Sequence, residues 1–120
     1  MRRILVVDDE PAVRDLTVEI LRRHGYRPEG VASAAIALSR LAEEEFDLIV
    51  SDVVMPEMTG IELLDELRVR DHRIPVVLMT GGSPEPERTS TAVLLGATGL
   101  VYKPFSHDEL REAVQEALER

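Results

Sequence analysis

The sequence predicts a single α/β domain whose core is an open, doubly wound parallel sheet. Short apolar runs rich in β-formers alternate five times with longer segments of helical periodicity. Such alternation is typical of a parallel sheet with helices on both faces. Five strands are too few to close an eight-stranded barrel, so an open sheet with right-handed crossovers is expected. Because 120 residues is the usual size of one domain, we predict one domain spanning residues 1–120.

The predicted strands are short, and their composition separates the edge of the sheet from its centre. The run from Phe46 to Ser51 is almost continuously apolar, which is typical of a strand buried on both faces. Pro28 lies in a weaker run and has no N–H to donate to a neighbour, so its strand is expected at an edge. The five predicted strands cover residues 4–7, 27–31, 46–51, 75–79 and 100–102.

Capping residues mark where the helices begin. Pro11 suits the first turn of a helix, where its missing N–H would have no partner. Ser33 is a predicted N-cap, and Thr59–Glu62 and Ser106–Glu109 both have the residue types and spacing of a capping box. A weaker helix, rich in Thr and Ser, is predicted over residues 85–95. Each predicted strand is therefore followed by a predicted helix.

Composition and charge exclude several classes of function. The net charge of −9 argues against direct nucleic-acid binding by this domain, because such binding relies on basic residues that neutralise phosphates. Without cysteine, the chain has no disulfides, thiolate metal sites or cysteine nucleophiles. No apolar stretch approaches the roughly 20 residues needed to span a bilayer, and the N-terminus does not have the pattern of a signal peptide. We expect a cytoplasmic protein that does not contact membranes.

Polar residues follow four of the predicted strands at the point where each strand ends. They are Asp8 and Asp9 after the first strand, Asp52 after the third, Thr80 after the fourth and Lys103 after the fifth. Ligands of open α/β sheets bind beyond the C-terminal strand ends, so these side chains are expected to meet at one edge. Three carboxylates in one pocket repel each other unless a cation is bound, and Mg²⁺ prefers oxygen ligands. The sequence therefore predicts a metal-and-phosphate site.

Each of these residues also has an ordinary structural explanation. Asp8 and Asp9 fit the N-cap of the first helix, and Asp52 fits a turn after its strand. Thr80 can bond to local backbone, and Lys103 can be a solvated surface charge. However, Lys103 is the one lysine among 14 basic residues, and a compact ammonium suits a point contact with a phosphate or carboxylate. The functional interpretation depends on all five residues meeting at one edge.

Six segments of the chain form a recognisable pattern: ILVVDDEP at 4–11, DLIVSD at 47–52, MPEMTG at 55–60, PVVLMT at 75–80, GA at 96–97 and KPF at 103–105. Taken together in this order and spacing, they resemble the CheY-like receiver domain of two-component response regulators. The resemblance covers essentially the whole length of the chain, and it implies a flavodoxin-like (βα)5 fold with strand order 2-1-3-4-5.

The resemblance implies a chemical role for the carboxylates. By analogy with the family, Asp52 accepts a phosphoryl group from the phosphohistidine of a histidine kinase. Asp8 or Asp9, or both, are expected to bind Mg²⁺ together with Asp52 and the backbone carbonyl of Val54. Phosphoryl transfer is mostly positioning and charge neutralisation, so a metal beside the accepting carboxylate is physically reasonable.

The resemblance also implies how the signal leaves the site. Thr80 and Lys103 are expected to contact the phosphoryl oxygens, and Tyr102 is expected to change rotamer together with Thr80. The surface formed by residues 85–120 would then contact an output domain or a downstream protein. Phosphorylation-dependent homodimerisation through this surface is a further hypothesis.

The expected phosphodonor is a histidine kinase or a phosphotransfer protein. The chain itself is expected to have no enzyme activity beyond self-catalysed phosphorylation and dephosphorylation. An alternative is a constitutive interaction module that has the receiver fold but is not phosphorylated. The intact set of site residues argues against this alternative. A small Mg²⁺-dependent phosphatase is less favoured. Such enzymes usually carry a second aspartate two residues after the nucleophile, where this chain has Val54.

Overall fold

The computed structural model describes residues 1–81 and 96–119, and it contains one five-stranded parallel sheet in the order β2-β1-β3-β4-β5. The predicted fold class and strand order are confirmed. The strands are β1 Arg3–Val7, β2 Arg27–Val31, β3 Leu48–Asp52, β4 Val76–Gly81 and β5 Gly99–Lys103. The helices are α1 Pro11–Arg23, α2 Ala34–Glu43, α3 Gly60–Val69 and α4 His107–Glu119. The helix predicted over residues 85–95 lies outside the described residues.

Alternate side chains of the central strands enter two separate hydrophobic layers, one on each face of the sheet. Leu5, Ile49 and Leu78 pack in the layer beneath α2 and α3. The neighbouring positions Val6, Val50 and Met79 pack in the layer beneath α1 and α4. Because both faces of these strands are covered, their sequences are apolar without interruption until the C-terminal ends. Polar side chains therefore first appear at that edge of the sheet.

The start of each described helix is fixed by the groups that the sequence indicated. Pro11 occupies the first turn of α1, and Ser33 accepts a hydrogen bond from the backbone N–H of Ile36 at the start of α2. A reciprocal capping box joins Thr59 and Glu62 at the start of α3. The same arrangement joins Ser106 and Glu109 before α4.

Helix α1 packs on the sheet through a face that differs slightly from the one its apolar residues indicate. Periodicity predicts Leu16 in the core, but Leu16 is 51% exposed, and Thr17 is buried in its place. Thr17, Ile20 and Leu21 have the i, i+3, i+4 spacing of one helical face, and Thr17 satisfies its hydroxyl by donating to the carbonyl of Val13. This packing leaves an apolar side chain on the surface near the edge that carries the polar residues.

Candidate functional site

The parallel sheet brings the C-terminal residues of β1, β3, β4 and β5 to one edge, as the sequence predicts. Asp8 follows β1 and is fully buried, while Asp52 ends β3 and is 5% exposed. Thr80 is the second-to-last residue of β4 and is also buried. Lys103 ends β5 and is half-buried. Residues far apart in the chain thus reach one edge of the sheet because their strands end side by side.

Lys103 is in direct contact with two of the carboxylates. Its Nζ lies 3.3 Å from Oδ2 of Asp8 and 3.3 Å from Oδ2 of Asp52. The ammonium therefore bridges the ends of β1 and β3 from the far edge of the sheet. The peptide bond between Lys103 and Pro104 is cis.

The environment changes the acidity of both partners in this contact. Burial raises the pKa of Asp52, and the nearby Asp8 carboxylate raises it further, while Lys103 only partly offsets these effects. Burial alone would lower the pKa of Lys103, but the carboxylates of Asp52 and Asp8 raise it above its ordinary value. The site therefore holds more negative charge than one ammonium compensates, which favours an additional cation.

Asp8 is held by hydrogen bonds from several segments and does not serve as the N-cap of α1. The N-cap of α1 is Glu10, whose side chain makes no capping bond. Instead, the backbone N–H of Glu10 donates to Oδ1 of Asp8 at 3.0 Å, and the N–H of Asp8 donates to the carbonyl of Val31 at 3.1 Å. This pattern fixes the turn between β1 and α1 with the Asp8 carboxylate directed toward Asp52 and Lys103.

A group of carboxylates with the spacing of a metal site includes one residue that the sequence analysis missed. One carboxylate oxygen from each of Asp8, Glu10 and Asp52 lies within 4.8 Å of the others. Oxygen-only donors of this kind suit Mg²⁺. Asp9, a predicted ligand, is not in this group, but it lines the adjoining cavity. Glu10 directly follows the aspartate pair, but its place before Pro11 is also typical of a helix start, so local sequence does not mark it as a ligand.

A cavity of about 300 Å³ opens from this cluster to the surface. Val54, the predicted carbonyl ligand, contributes to its wall and has an exposed side chain. The cavity therefore exposes one side of the Asp52 carboxylate to solutes. Its lining residues are Asp9, Glu10, Asp52, Val54, Gly81 and Lys103.

Gly60 keeps the segment after Asp52 close to its strand. The N–H of Gly60 donates to the carbonyl of Val53 at 2.9 Å. A Cβ added at Gly60 would lie 2.2 Å from the backbone oxygen of Asp52, closer than any non-bonded contact allows. The first residue of α3 therefore has to be glycine for the turn that carries Asp52 to close.

Thr80 and Tyr102, the predicted switch pair, are direct neighbours in the pairing of β4 with β5. Paired residues of parallel strands direct their side chains to the same face of the sheet. Tyr102 is half-buried and lines a surface groove between β5 and α4. A movement of the Thr80 side chain can therefore affect Tyr102, and with it the groove, on the adjacent strand.

A parallel sheet in this order, with buried aspartates at the ends of β1 and β3 and a lysine from β5 between them, defines the receiver class of signalling domains. The chain belongs to the response regulator receiver domain family, whose model matches residues 4–115. This membership confirms the resemblance noted in the sequence.

Individual relatives agree with this assignment. The chain is 39% identical to the regulatory protein AtoC of Escherichia coli over 99% of its own length, and it spans 26% of AtoC. It is 36% identical to sporulation initiation phosphotransferase F of Bacillus subtilis, covering 97% of this chain and 93% of that protein. The chain thus spans about a quarter of the length of AtoC and several other curated relatives, and nearly all of sporulation initiation phosphotransferase F.

Solved structures share the fold over nearly the full chain. A structure of the chemotaxis protein CheY4 of Vibrio cholerae matches with a TM-score of 0.90 and 32% identity, covering 98% of both chains. The structure of FixJ-N matches with a TM-score of 0.92 and 30% identity, covering all of this chain and 95% of the other.

Within the described residues, no helix combines the length and apolarity required to cross a membrane.

Proposed function

We propose that the chain is a phosphoacceptor in which Asp52 receives a phosphoryl group from a phosphohistidine. The observation that carries the proposal is the position of the Asp52 carboxylate. It ends β3 in the wall of an open cavity, 3.3 Å from Lys103 and beside the carboxylates of Asp8 and Glu10. In the transfer, a carboxylate oxygen of Asp52 forms a bond to phosphorus, and the P–N bond breaks with its electron pair returning to the imidazole. An ionised carboxylate needs no general base for this step.

The residues at the site are suited to hold Mg²⁺. Asp8, Asp9, Asp52 and the carbonyl of Val54 are the proposed ligands, and Glu10 is added because its carboxylate oxygen lies within 4.8 Å of those of Asp8 and Asp52. A bound Mg²⁺ would offset the charge that develops on the transferring group. Lys103 adds a fixed positive charge 3.3 Å from the Asp52 carboxylate, and both effects favour transfer to this carboxylate.

We place the docking site of the phosphodonor on the apolar surface beside Lys103. The exposed Leu16 and the half-buried Val13 of α1 face Pro104 and Phe105 across a cavity of about 300 Å³ that Lys103 also lines. A donor protein has to bring its histidine to within bonding distance of Asp52, so an apolar contact surface next to Lys103 is well placed to hold it. The donor would be a histidine kinase or a phosphotransfer protein.

The proposed output begins at Thr80 and leaves through Tyr102. A phosphoryl group on Asp52 would attract the Thr80 hydroxyl, and the space vacated by Thr80 would let the Tyr102 ring move inward. Such coupling typically amounts to 1–3 kcal/mol. The surface proposed to contact an output domain, a downstream protein or a second copy of the chain is formed by residues 85–120, of which residues 96–119 are described.

The direct test is phosphorylation by a small donor such as acetyl phosphate in the presence of Mg²⁺. Intact-mass measurement is expected to reveal one added phosphoryl unit, and Asp52→Asn is expected to lose it. Asp65→Asn, at an exposed position on α3, is the matched control and should retain the adduct. A folded protein that gains no phosphoryl unit and binds no Mg²⁺ would contradict the proposal and favour the constitutive interaction module.

A further inference from the structure

We propose that Arg14 is a positioning residue, which holds the turn carrying Asp8 and thereby sets the metal affinity of the site. The guanidinium group of Arg14 donates from Nη1 to the backbone carbonyl of Asp8 at 3.0 Å. The inference builds on the proposed phosphoacceptor function and adds a residue that lies outside the carboxylate cluster itself. Arg14 would act on the metal only through Asp8.

The bond is significant because it completes the support of Asp8. The N–H of Asp8 is bound by Val31 of β2, and its two carboxylate oxygens are bound by the N–H of Glu10 and by Lys103. The carbonyl of Asp8 lies just beyond the end of β1, and Arg14 is the donor that satisfies it. Loss of Arg14 would leave one side of the turn unsupported.

The side chain of Arg14 is guided to this carbonyl by the edge strand. Gly30 of β2 has no Cβ, and one built there would lie 3.0 Å from Cγ and 3.2 Å from Cδ of Arg14. The stem of Arg14 therefore crosses β2 in the space that the glycine leaves open. Arg14 itself is anchored in the first turn of α1, where its N–H donates to the carbonyl of Glu10. One residue thus connects α1, β2 and the end of β1.

Arg14 differs in this respect from the other arginines of α1. Arg22 and Arg23 form exposed ion pairs with Glu19, which is the usual arrangement of surface arginines. Among residues 1–81 and 96–119, no carboxylate forms an ion pair with Arg14. Its hydrogen bond to Asp8 therefore has no competing acidic partner within that part of the chain.

Two effects of removing Arg14 have opposite signs, and this separates positioning from simple electrostatics. Removing a positive charge near a cation site would by itself strengthen Mg²⁺ binding. Loosening the turn would weaken Mg²⁺ binding, because the Asp8 carboxylate would have to be ordered when the metal binds. Residues that orient metal ligands typically change metal affinity by about 10- to 100-fold. A net weakening therefore identifies positioning.

The test compares Arg14→Met, Arg14→Lys and Arg22→Met, each confirmed to be folded by thermal unfolding. Arg14→Met is expected to weaken Mg²⁺ binding by about tenfold and to speed hydrogen exchange of the Glu10 amide in metal-free buffer. Arg14→Lys keeps a charged donor on a similar stem and should restore most of both properties. Arg22→Met removes the same charge from the same helix and should match the wild type.

Gly30→Ala provides an independent second variant. Its Cβ would displace the stem of Arg14 while leaving the guanidinium group in the chain. Weaker Mg²⁺ binding and faster exchange of the Glu10 amide are therefore expected again, but to a smaller extent. Mg²⁺ affinity and Glu10 exchange that stay at wild-type values in Arg14→Met and Gly30→Ala would overturn the proposal. If the wild type itself binds no Mg²⁺, the phosphoacceptor function fails, and metal-free exchange alone still decides whether Arg14 holds the turn.

Discussion

The Nζ of Lys103 lies 3.3 Å from Oδ2 of Asp52, so the last strand of the sheet supplies the counter-charge for the aspartate that ends the third. The same ammonium also contacts the buried carboxylate of Asp8. Without a bound metal, these two carboxylates therefore share the positive charge of one lysine.

Lys103→Met is expected to impair both stability and phosphorylation. Removing one partner of a buried ion pair leaves uncompensated charge and costs about 3 kcal/mol in the free energy of unfolding. The phosphorylation rate with a small donor should fall by about 100-fold, as for the loss of other preorganised electrostatic contacts. Urea unfolding in EDTA and timed intact-mass measurements test the two effects.

Lys103→Arg is the control for this prediction. It keeps the charge but presents a planar, broader head group, so it should recover more of the stability than of the rate. A methionine variant that is phosphorylated as fast as the wild type would show that Lys103 has no part in the transfer.

Asp52→Asn is expected to stabilise the metal-free protein at neutral pH. The fold raises the pKa of Asp52, chiefly through burial. A raised pKa means that the fold favours the protonated carboxyl, so this contribution to stability is present at low pH and is lost as pH rises through the raised pKa. Asparagine cannot ionise and avoids that loss. Urea unfolding in EDTA at several pH values should find the variant more stable near pH 7, with the difference shrinking toward pH 4.

The matched control is Asp65→Asn, because the carboxyl of Asp65 is exposed on α3. Because this position is exposed, the substitution should change the stability of the metal-free protein at neutral pH far less than Asp52→Asn does. A metal-free Asp52→Asn protein that is less stable than the wild type at neutral pH would mean that Lys103 outweighs burial at this position.

Asp9→Asn is expected to weaken Mg²⁺ binding more than Glu10→Gln does. Both side chains line the cavity beside Asp52. Asp9 is half-buried, whereas Glu10 is exposed and has one more rotatable bond, so fixing Glu10 as a ligand costs more conformational entropy. Titration calorimetry should give a loss of about tenfold or more for Asp9→Asn. The reverse ranking would make Glu10, with its close approach to Asp8 and Asp52, the metal ligand in place of Asp9.

The fold and the meeting of Asp8, Asp52 and Lys103 at one edge of the sheet could be predicted because the signals were local. Each of Asp8, Asp52 and Lys103 follows an apolar run, and parallel strands must end side by side. The strand order is a different case, since only the family resemblance implies it. The alternation of strands and helices alone left several orders open.

Other features depend on tertiary packing and could not be read from local patterns. The orientation of α1 that exposes Leu16 and buries Thr17 is set by how the helix sits on the sheet, and hydrophobic periodicity assigns no weight to threonine. The bond from Arg14 to Asp8 depends on the space at Gly30 in another strand. Nothing in the spacing of Arg14 distinguishes it from the surface arginines of the same helix.

Gly60→Ala is expected to damage the site through the backbone of Asp52. The added Cβ would lie 2.2 Å from the oxygen of Asp52 and 3.1 Å from Cα of Val53, so the start of α3 has to move away from β3. Because backbone atoms cannot yield as a flexible side chain does, the loss of stability should be about 3 kcal/mol, with slower phosphorylation of Asp52 in the fraction that stays folded. Gly99→Ala is the control, since its Cβ would meet Val77 at an ordinary 3.6 Å and should change stability far less. Equal stability of the two variants in urea unfolding would show that the turn after Asp52 can open without cost.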